Sequence, residues 1–433
     1  MKTKTVITSI SIIIIILLPF VAFACGYRNF FTVAGMIIVA LVLYLMYRTR
    51  DVKQYLPPEE LQNYTTEEIA LYYKTIRDLQ KEVAGKTTPK YKKRLFGLIW
   101  NGEYAKAIEQ LETDAADAQE AVDRHVFKAK LCIADCRFKE AEVFYRKSVT
   151  IAPSVDNFTN AAMFYYELRK YKEAKRCYEN CLELDMPDPE RALILYHLGM
   201  VYSEVRQMSE AKTIYKEALI LMRELAVEAP EIFAVRLMHV LDHLGEIYRH
   251  TKEFDKAKEC HTEALTMHRE LAAVAAENAN RELARSLNNL GCVHLAMSEF
   301  DKAEDYLTEA LEMRRFPLEE PPNDANFELT ETLHNLGNLY VAIENFTKAE
   351  ECFSECINES RVMTEKYPLI WQPYLVKNLL NSSVFYVQCI ADKAKALSYA
   401  EEALSLIEGC KETSELRELR DLAKKTRRKL EYS

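Results

Sequence analysis

The residues best able to do chemistry are eleven cysteines and nine histidines in a chain of 433 residues. Three cysteine pairs lie four apart, Cys132/Cys136, Cys177/Cys181 and Cys352/Cys356, which puts both thiols of a pair on one face of a helix. A metal site on that face needs further histidine or carboxylate ligands, and none is set with them, so each cysteine reads as a small buried hydrophobe. The odd, scattered set follows no small-scaffold spacing and fits a reducing compartment. There is no C-x-x-C, G-x-x-x-x-G-K, G-x-G-x-x-G or H-E-x-x-H, and Ser-His-Asp combinations can be drawn anywhere in a chain this charged. The expectation is a protein with no metal, no cofactor and no catalytic activity.

With chemistry set aside, the question becomes what the elements build. Only 10 Gly and 13 Pro interrupt the chain, which is 49% hydrophobic and 28% charged, a composition that favours an all-α protein. The net charge is −9 with both signs spread along the chain, unlike the concentrated basic face of a nucleic-acid binder. No nucleic-acid partner is expected.

An eight-residue pattern recurs: "LYHLGMVY" (195–202), "LDHLGEIY" (241–248), "LNNLGCVH" (287–294) and "LHNLGNLY" (333–340). Its glycines, Gly199, Gly245, Gly291 and Gly337, are each 46 apart, and a further 46 lands on Ser383. Twelve residues after each glycine stands Ala211, Ala257, Ala303 or Ala349. Sixteen after it stands Tyr215, His261, Leu307 or Phe353, and nineteen after it Ala218, Ala264, Ala310 or Cys356. Weaker copies lie upstream around Ala107, Ala141 and Ala174, spaced 34 and then 33.

This pattern resembles the tetratricopeptide repeat, a helix–turn–helix unit. The resemblance implies a right-handed superhelical solenoid of about eight units. In it, each glycine is expected to let the first helix approach the small residues of the second, its propensity cost being offset by packing. The 46-residue units look similar to the elongated repeats of kinesin light chains, although no heptad coiled coil precedes them here. The organisation expected is a membrane anchor over 1–50, a linker and capping helix over 51–87, three standard units over 88–187, five long units over 188–409 and a capping helix over 410–433.

The front end carries two uncharged runs, 6–24 and 31–47, each long enough to span a bilayer core. Lys2 and Lys4 precede them and Arg48, Arg50 and Lys53 follow, which favours both ends inside. One or two transmembrane helices are therefore expected, the first open to reading as a cleaved signal peptide. The localisation that follows is a membrane protein with a cytoplasmic repeat domain.

Stacked units of this family form a concave groove lined by their first helices. The resemblance places the residue two before each glycine in that groove: His197, His243, Asn289, Asn335 and Asn381. Asp242, Asn288, His334, Arg285, Glu246, Asn338 and Arg249 complete the expected partner-binding set. Asn supplies both donors and an acceptor, so a ladder of them can pair with the backbone of a bound peptide. The expected partner is a protein or peptide of mixed polarity, and the expected role is that of a membrane-anchored adaptor. A membrane-bound co-chaperone or assembly factor, and an architectural protein that associates with itself, are the alternatives.

Overall fold

The computed structural model describes residues 64–85, 87–111, 117–272, 276–315, 324–408 and 414–432. Among them every regular element is a helix. Helix α1 (Thr66–Ala84) belongs to none of the pairs that follow. The first pair has a broken first helix, α2 (Lys90–Arg94) and α3 (Phe96–Trp100), and a short second helix, α4 (Tyr104–Gln110). Then come α5 (Ala118–Ala134) with α6 (Phe138–Ile151), and α7 (Val155–Glu167) with α8 (Tyr171–Leu182). Longer pairs follow: α9 (Asp188–Glu204) with α10 (Met208–Glu228), and α11 (Pro230–His250) with α12 (Phe254–Ala272). After them stand α13 (Ala276–Ala296) with α14 (Phe300–Arg314), and α15 (Asp324–Ala342) with α16 (Phe346–Lys366). The last pair is α17 (Pro368–Phe385), prolonged by a π turn over Tyr386–Ile390, with α18 (Lys393–Glu408); α19 (Ser414–Tyr432) packs on both.

Local chemistry starts and stops these helices. Asp117 and Ser154 accept from the backbone N–H three residues on, at 2.8 and 3.3 Å, and cap α5 and α7. Pro230 and Pro368 open α11 and α17, where a missing N–H costs nothing. Between the two helices of a pair the chain turns through a left-handed residue: Cys136, Arg169, Arg206, Lys252, Ser298, Glu344 or Ala391, with φ between 54° and 62°. After six of these seven, the next amide bonds back to the first helix, as Glu253 N donates to Tyr248 O at 2.8 Å. This is the Schellman closure, made here without the usual glycine.

The repeating glycines hold four of the long pairs together, chiefly against a large residue; only at Gly291 does a small residue, through the Ala303 carbonyl at 3.4 Å, also meet the added Cβ. A Cβ built on Gly199 would lie 2.7 Å from the Tyr215 ring, and one on Gly245 would lie 2.5 Å from the His261 ring. Gly291 meets Leu307 at 2.7 Å and Gly337 meets Phe353 at 2.6 Å. The large residue sixteen positions later presses on bare backbone, so the glycine is a socket for a bulky side chain. Ala211, Ala257, Ala303 and Ala349 are also fully buried. The expectation that each glycine faces small residues holds only in part: the nearest atoms at all four belong to the bulky residue, because removing a Cβ makes room for a side-chain edge whose burial is favourable.

The pairs stack with their first helices closest together. α9 touches α11, α11 touches α13, and α13 touches α15. Successive second helices are bridged by long side chains: Arg223 to Glu263 at 2.6 Å, Arg269 to Glu309 at 3.4 Å, Arg315 to Glu355 at 2.8 Å and Arg361 to Glu402 at 2.7 Å. The four arginines are 46 apart. Exposed pairs of this kind are worth up to about 1 kcal/mol each, so their role is to keep register. A stack whose first helices lie closer together than its second ones curves towards the first helices, which therefore line the inner face.

The expected membrane localisation is corrected. No helix among the described residues is long and apolar enough to cross a membrane. The physical reason is polar punctuation: even α17, with Lys377 as its one formal charge, is interrupted by Gln372, Asn378 and Asn381. The segments on which the anchor rested, 6–24 and 31–47, lie outside the described residues.

Gly337→Ala should destabilise the protein by about 1–3 kcal/mol through overpacking against Phe353. Gly97→Ala, in α3, meets nothing within 4 Å and should be neutral or stabilise by up to about 1 kcal/mol. Urea unfolding of the two variants beside the parent checks the contrast; equal effects would remove the socket from the account.

Candidate inner-face binding site

The inner face divides into two regions. Over the first three pairs it is covered by α1, which packs on α3, α5 and α7. From α9 to α17 it carries the polar residues that sequence analysis singled out, and these are engaged to different degrees.

The two histidines of the ladder are partly buried and stacked. His197 lies parallel to Tyr178 at 5.7 Å, and His243 lies parallel to Tyr215 at 5.6 Å. The Tyr196 hydroxyl and His243 Nε2 are 3.3 Å apart and join α9 to α11. Burial, with Lys74 and Arg236 near, pushes His197 down to about 4. Burial and Arg285 push His243 down to about 4 as well. Both rings are thus held neutral.

Asp242 and Asn288 are buried rather than presented. Asp242 bonds His261 Nδ1 at 3.1 Å, accepts from Ser286 Oγ at 3.4 Å and lies 3.6 Å from Arg285. Burial opposes its ionisation, yet the His261 hydrogen bond and charge, with Arg285, hold its carboxyl below the ordinary value. His261 is raised: burial works against its charge, but Asp242 and Glu246 outweigh it. Glu246 Oε1 lies 3.6 Å from His261 Nε2, and both Glu246 oxygens accept from Arg249, at 2.6 to 3.2 Å. Arg285 also pairs with Glu282, which lies 3.5 Å from His239. This network spans α11, α12 and α13.

One grouping inside it superficially matches a hydrolase. Ser286 Oγ is 2.9 Å from His268 Nδ1 and 3.4 Å from Asp242. Here the serine lies between the histidine and the acid, whereas a triad needs the histidine between. Ser286 and His268 are fully buried, so the grouping ties α12 to α11 and α13.

It also belongs to a series that sequence analysis missed. At the same place one unit on, Arg314 donates to the Glu328 carbonyl at 2.6 Å and to the Thr332 hydroxyl. One unit further, Asn378 Nδ2 donates to Ser360 Oγ at 2.9 Å. The equivalent residues of the preceding interface, Met222 and Val240, are buried and apolar. The signal was present as a second 46-residue register, 222, 268, 314 and 360, obscured because its residue types change.

The asparagines are what remains open. Asn335 Nδ2 donates to Asn288 Oδ1 at 3.0 Å, joining α15 to α13. Asn289 and Asn381 are partly buried, Asn338 is exposed, and none of the three has a side-chain partner among the described residues. His334 leans on Phe353 at 5.6 Å. The cysteines of the four-apart pairs are buried or nearly so, and burial pushes their titrating thiols up: Cys132, Cys177, Cys181 and Cys352 to about 11, Cys356 to about 12. They are packing residues; Cys356 Sγ donates to the Thr330 carbonyl.

Paired antiparallel helices stacked in register, with a glycine socket in four of the long pairs, define a helical-repeat solenoid. Family models described as tetratricopeptide repeat match residues 155–224 and 235–315, and again 330–361, so the chain carries tetratricopeptide repeats. No curated protein matches the sequence at a significant level. Similar solved structures include BtubC (BKLC) from P. vanneervenii, at 20% identity and TM-score 0.42, over 58% of this chain and 93% of that one. A Rap protein complexed with competence and sporulation factor matches at 14% identity and TM-score 0.48, over 85% of this chain and 97% of that one. The nearly identical repeats of a putative kinesin light chain from Podosopora anserina match at 15% identity and TM-score 0.39, over 49% and 96%. At these identities the likeness is one of fold.

The neutral histidines set the sign of the acid response. Unfolded histidine titrates near 6.5, so between about 6.5 and about 4 the unfolded chain binds protons that His197 and His243 refuse. Stability is lost as pH falls through that window. His261 has the opposite sign: its contribution is complete below its unfolded value and fades as pH rises through its raised one. Urea midpoints across the window should fall with acidification, and the fall should be shallower in His197→Asn/His243→Asn. An unchanged slope in that variant would contradict the assignment.

Proposed function

We propose that the protein is a non-catalytic adaptor whose inner face, from α11 to α17, binds an extended or helical segment of a partner protein. The observation that carries this reading is the row of open amides. Asn289 and Asn381 repeat the inner-face position of Asn335, at 46-residue spacing, and with Asn338 they keep their hydrogen-bonding groups free of partners among the described residues. A primary amide offers donors and an acceptor together, which suits the backbone of a bound chain. Around them stand Glu246, Arg249, Arg285 and Lys377, so the face is of mixed sign and favours a segment of mixed polarity. Most of these charges are already paired, which limits their pull on a strongly acidic or basic ligand.

The remaining members of the set, His197, His243, Asp242, Asn288, His334 and Asn335, position the helices that present these groups. Tetratricopeptide repeats are in general binding scaffolds, and the open amides support that role here over a purely architectural one.

Affinity capture with the full chain tests the reading. Asn289→Ala/Asn338→Ala/Asn381→Ala should lose its captured partners by about tenfold, the effect of about 1.4 kcal/mol, with no change in thermal unfolding. Asn335→Ala should lower unfolding stability through the Asn288 bond. A partner set unchanged in the triple variant, or a chain that captures only itself, would contradict the adaptor reading.

A further inference from the structure

Helix α1 does not cover the end of the stack. It lies along the inner face, meeting α2 and α3, then α5, then α7, and it also reaches α17 of the last pair. Its buried residues show how deeply it is seated. Ile69, Tyr72, Ile76, Leu79 and Val83 form one stripe, and Leu71 and Thr75 widen it to close to half the helix circumference. A helix resting on a surface needs a narrower stripe of about 100°. One wide stripe fits a helix sunk into a groove.

Polar ties fix its direction. Glu67 takes Arg169 Nε at 3.0 Å, and Lys74 pairs with Glu167 at the end of α7. At the other end Glu82 takes Lys92 and Lys130, each at 2.8 Å. The N-terminus is closed by a capping box: Thr65 Oγ1 accepts from Glu68 N, and Glu68 accepts from Thr65 N. The helix therefore carries its own start signal and does not depend on the stack for it.

Two features mark the edges of this seat. A cavity of about 190 Å³, open to solvent, runs between Leu71 and Thr75 of α1 and Lys130, Phe164 and the half-exposed Met163 of the stack. At the far side Trp371, stacked on Phe327 at 4.2 Å, is buried in the same apolar cluster as Ile69 and Tyr72, and its Nε1 donor has no partner among the described residues. The unmade hydrogen bond lowers the cost of leaving.

We propose that α1 is a displaceable clasp: an internal ligand in a helix-binding groove formed by α3, α5 and α7, which also joins the two ends of the stack. The partner this groove takes when α1 leaves is an amphipathic helix of the same pattern. It carries a wide apolar stripe, an acidic residue near each end to meet Arg169 and Lys130, and a basic residue between them to meet Glu167. This is a helix-in-groove interface, separate from the open amides of α11 to α17, so either can fail without the other.

The test leaves the groove intact and alters only α1 in the full chain. Glu67→Lys/Lys74→Glu reverses its ion pairs, and Leu71→Asp/Thr75→Asp charges its cavity side. Either variant should speed amide exchange across 66–84 and around Trp371 in α17, which α1 also touches, while leaving 188–272 unchanged. Each should also bind a labelled peptide of residues 64–85 about tenfold or more tighter than the parent chain, since a resident occupant taxes the affinity of a competing one. Exchange as slow as in the parent in both variants, loss of helix throughout the stack, or release of α1 with no gain in peptide binding would each overturn the proposal.

Discussion

A bare patch of backbone pressed by a bulky side chain is the contact on which the long pairs depend. Gly199, Gly245, Gly291 and Gly337 each receive the residue sixteen positions on, and an added methyl would stand 2.5 to 2.7 Å from it. The contact fixes the separation of the two helices in a pair. That separation sets which side chains reach the next pair, and through them the register of the arginine ladder and of the buried polar pairs. The identity of the bulky residue varies, from tyrosine through histidine and leucine to phenylalanine, because the socket selects volume. Where it holds His261, the buried Asp242 bonds Nδ1 and Glu246 stands 3.6 Å from Nε2, so two carboxylates accompany the buried ring.

The inner face is consequently built in two tiers. In the lower tier Asp242, His261, Ser286 and His268 bond one another, Asn288 bonds Asn335, and these contacts cross-link consecutive helices, although Nε2 of His261 and of His268 has no hydrogen-bond partner among the described residues. Buried cross-links of this kind rigidify their surroundings, and a rigid platform lowers the entropy lost when a flexible segment binds. The upper tier, Asn289, Asn338 and Asn381, is what rigidity presents. The polar pairs between successive units differ from one interface to the next, His268 with Ser286, Arg314 with Thr332 and Ser360 with Asn378. Each pair is matched to its own neighbour, so a slip by one unit would leave buried donors unpaired.

Much of this was legible in the sequence, and the rest was hidden for definite reasons. Four glycines at one period announced the paired helices, since a helix interior accepts glycine only when packing offsets its cost. What each glycine touches was not legible, because periodicity shows which residues share a face but not which of two buried partners lies opposite. The left-handed turns were invisible by type: Arg206, Lys252, Ser298 and Glu344 carry no turn signal, and only their common place, seven residues after each glycine, marks them. Asn289 and Asn288 are adjacent and chemically identical, yet one is open and the other buried; the hundred-degree step along a helix separates them, and the tilt of the next helix decides which is covered. The position of α1 was hidden most completely. The sequence suggested only a capping helix there, and its partners on α5, α7 and α17 lie as far as about three hundred residues away.

The central claim is that glycine and bulky residue act as one unit, and a double-mutant cycle on Gly199 and Tyr215 measures it directly. Tyr215→Ala alone should cost about 3–5 kcal/mol as a buried aromatic truncation. In that background the room left by the ring should make Gly199→Ala neutral or stabilising, although it is destabilising in the parent. The two changes should therefore couple by about 1 kcal/mol or more. Additive effects, with Gly199→Ala equally costly whether or not the ring is present, would contradict the account.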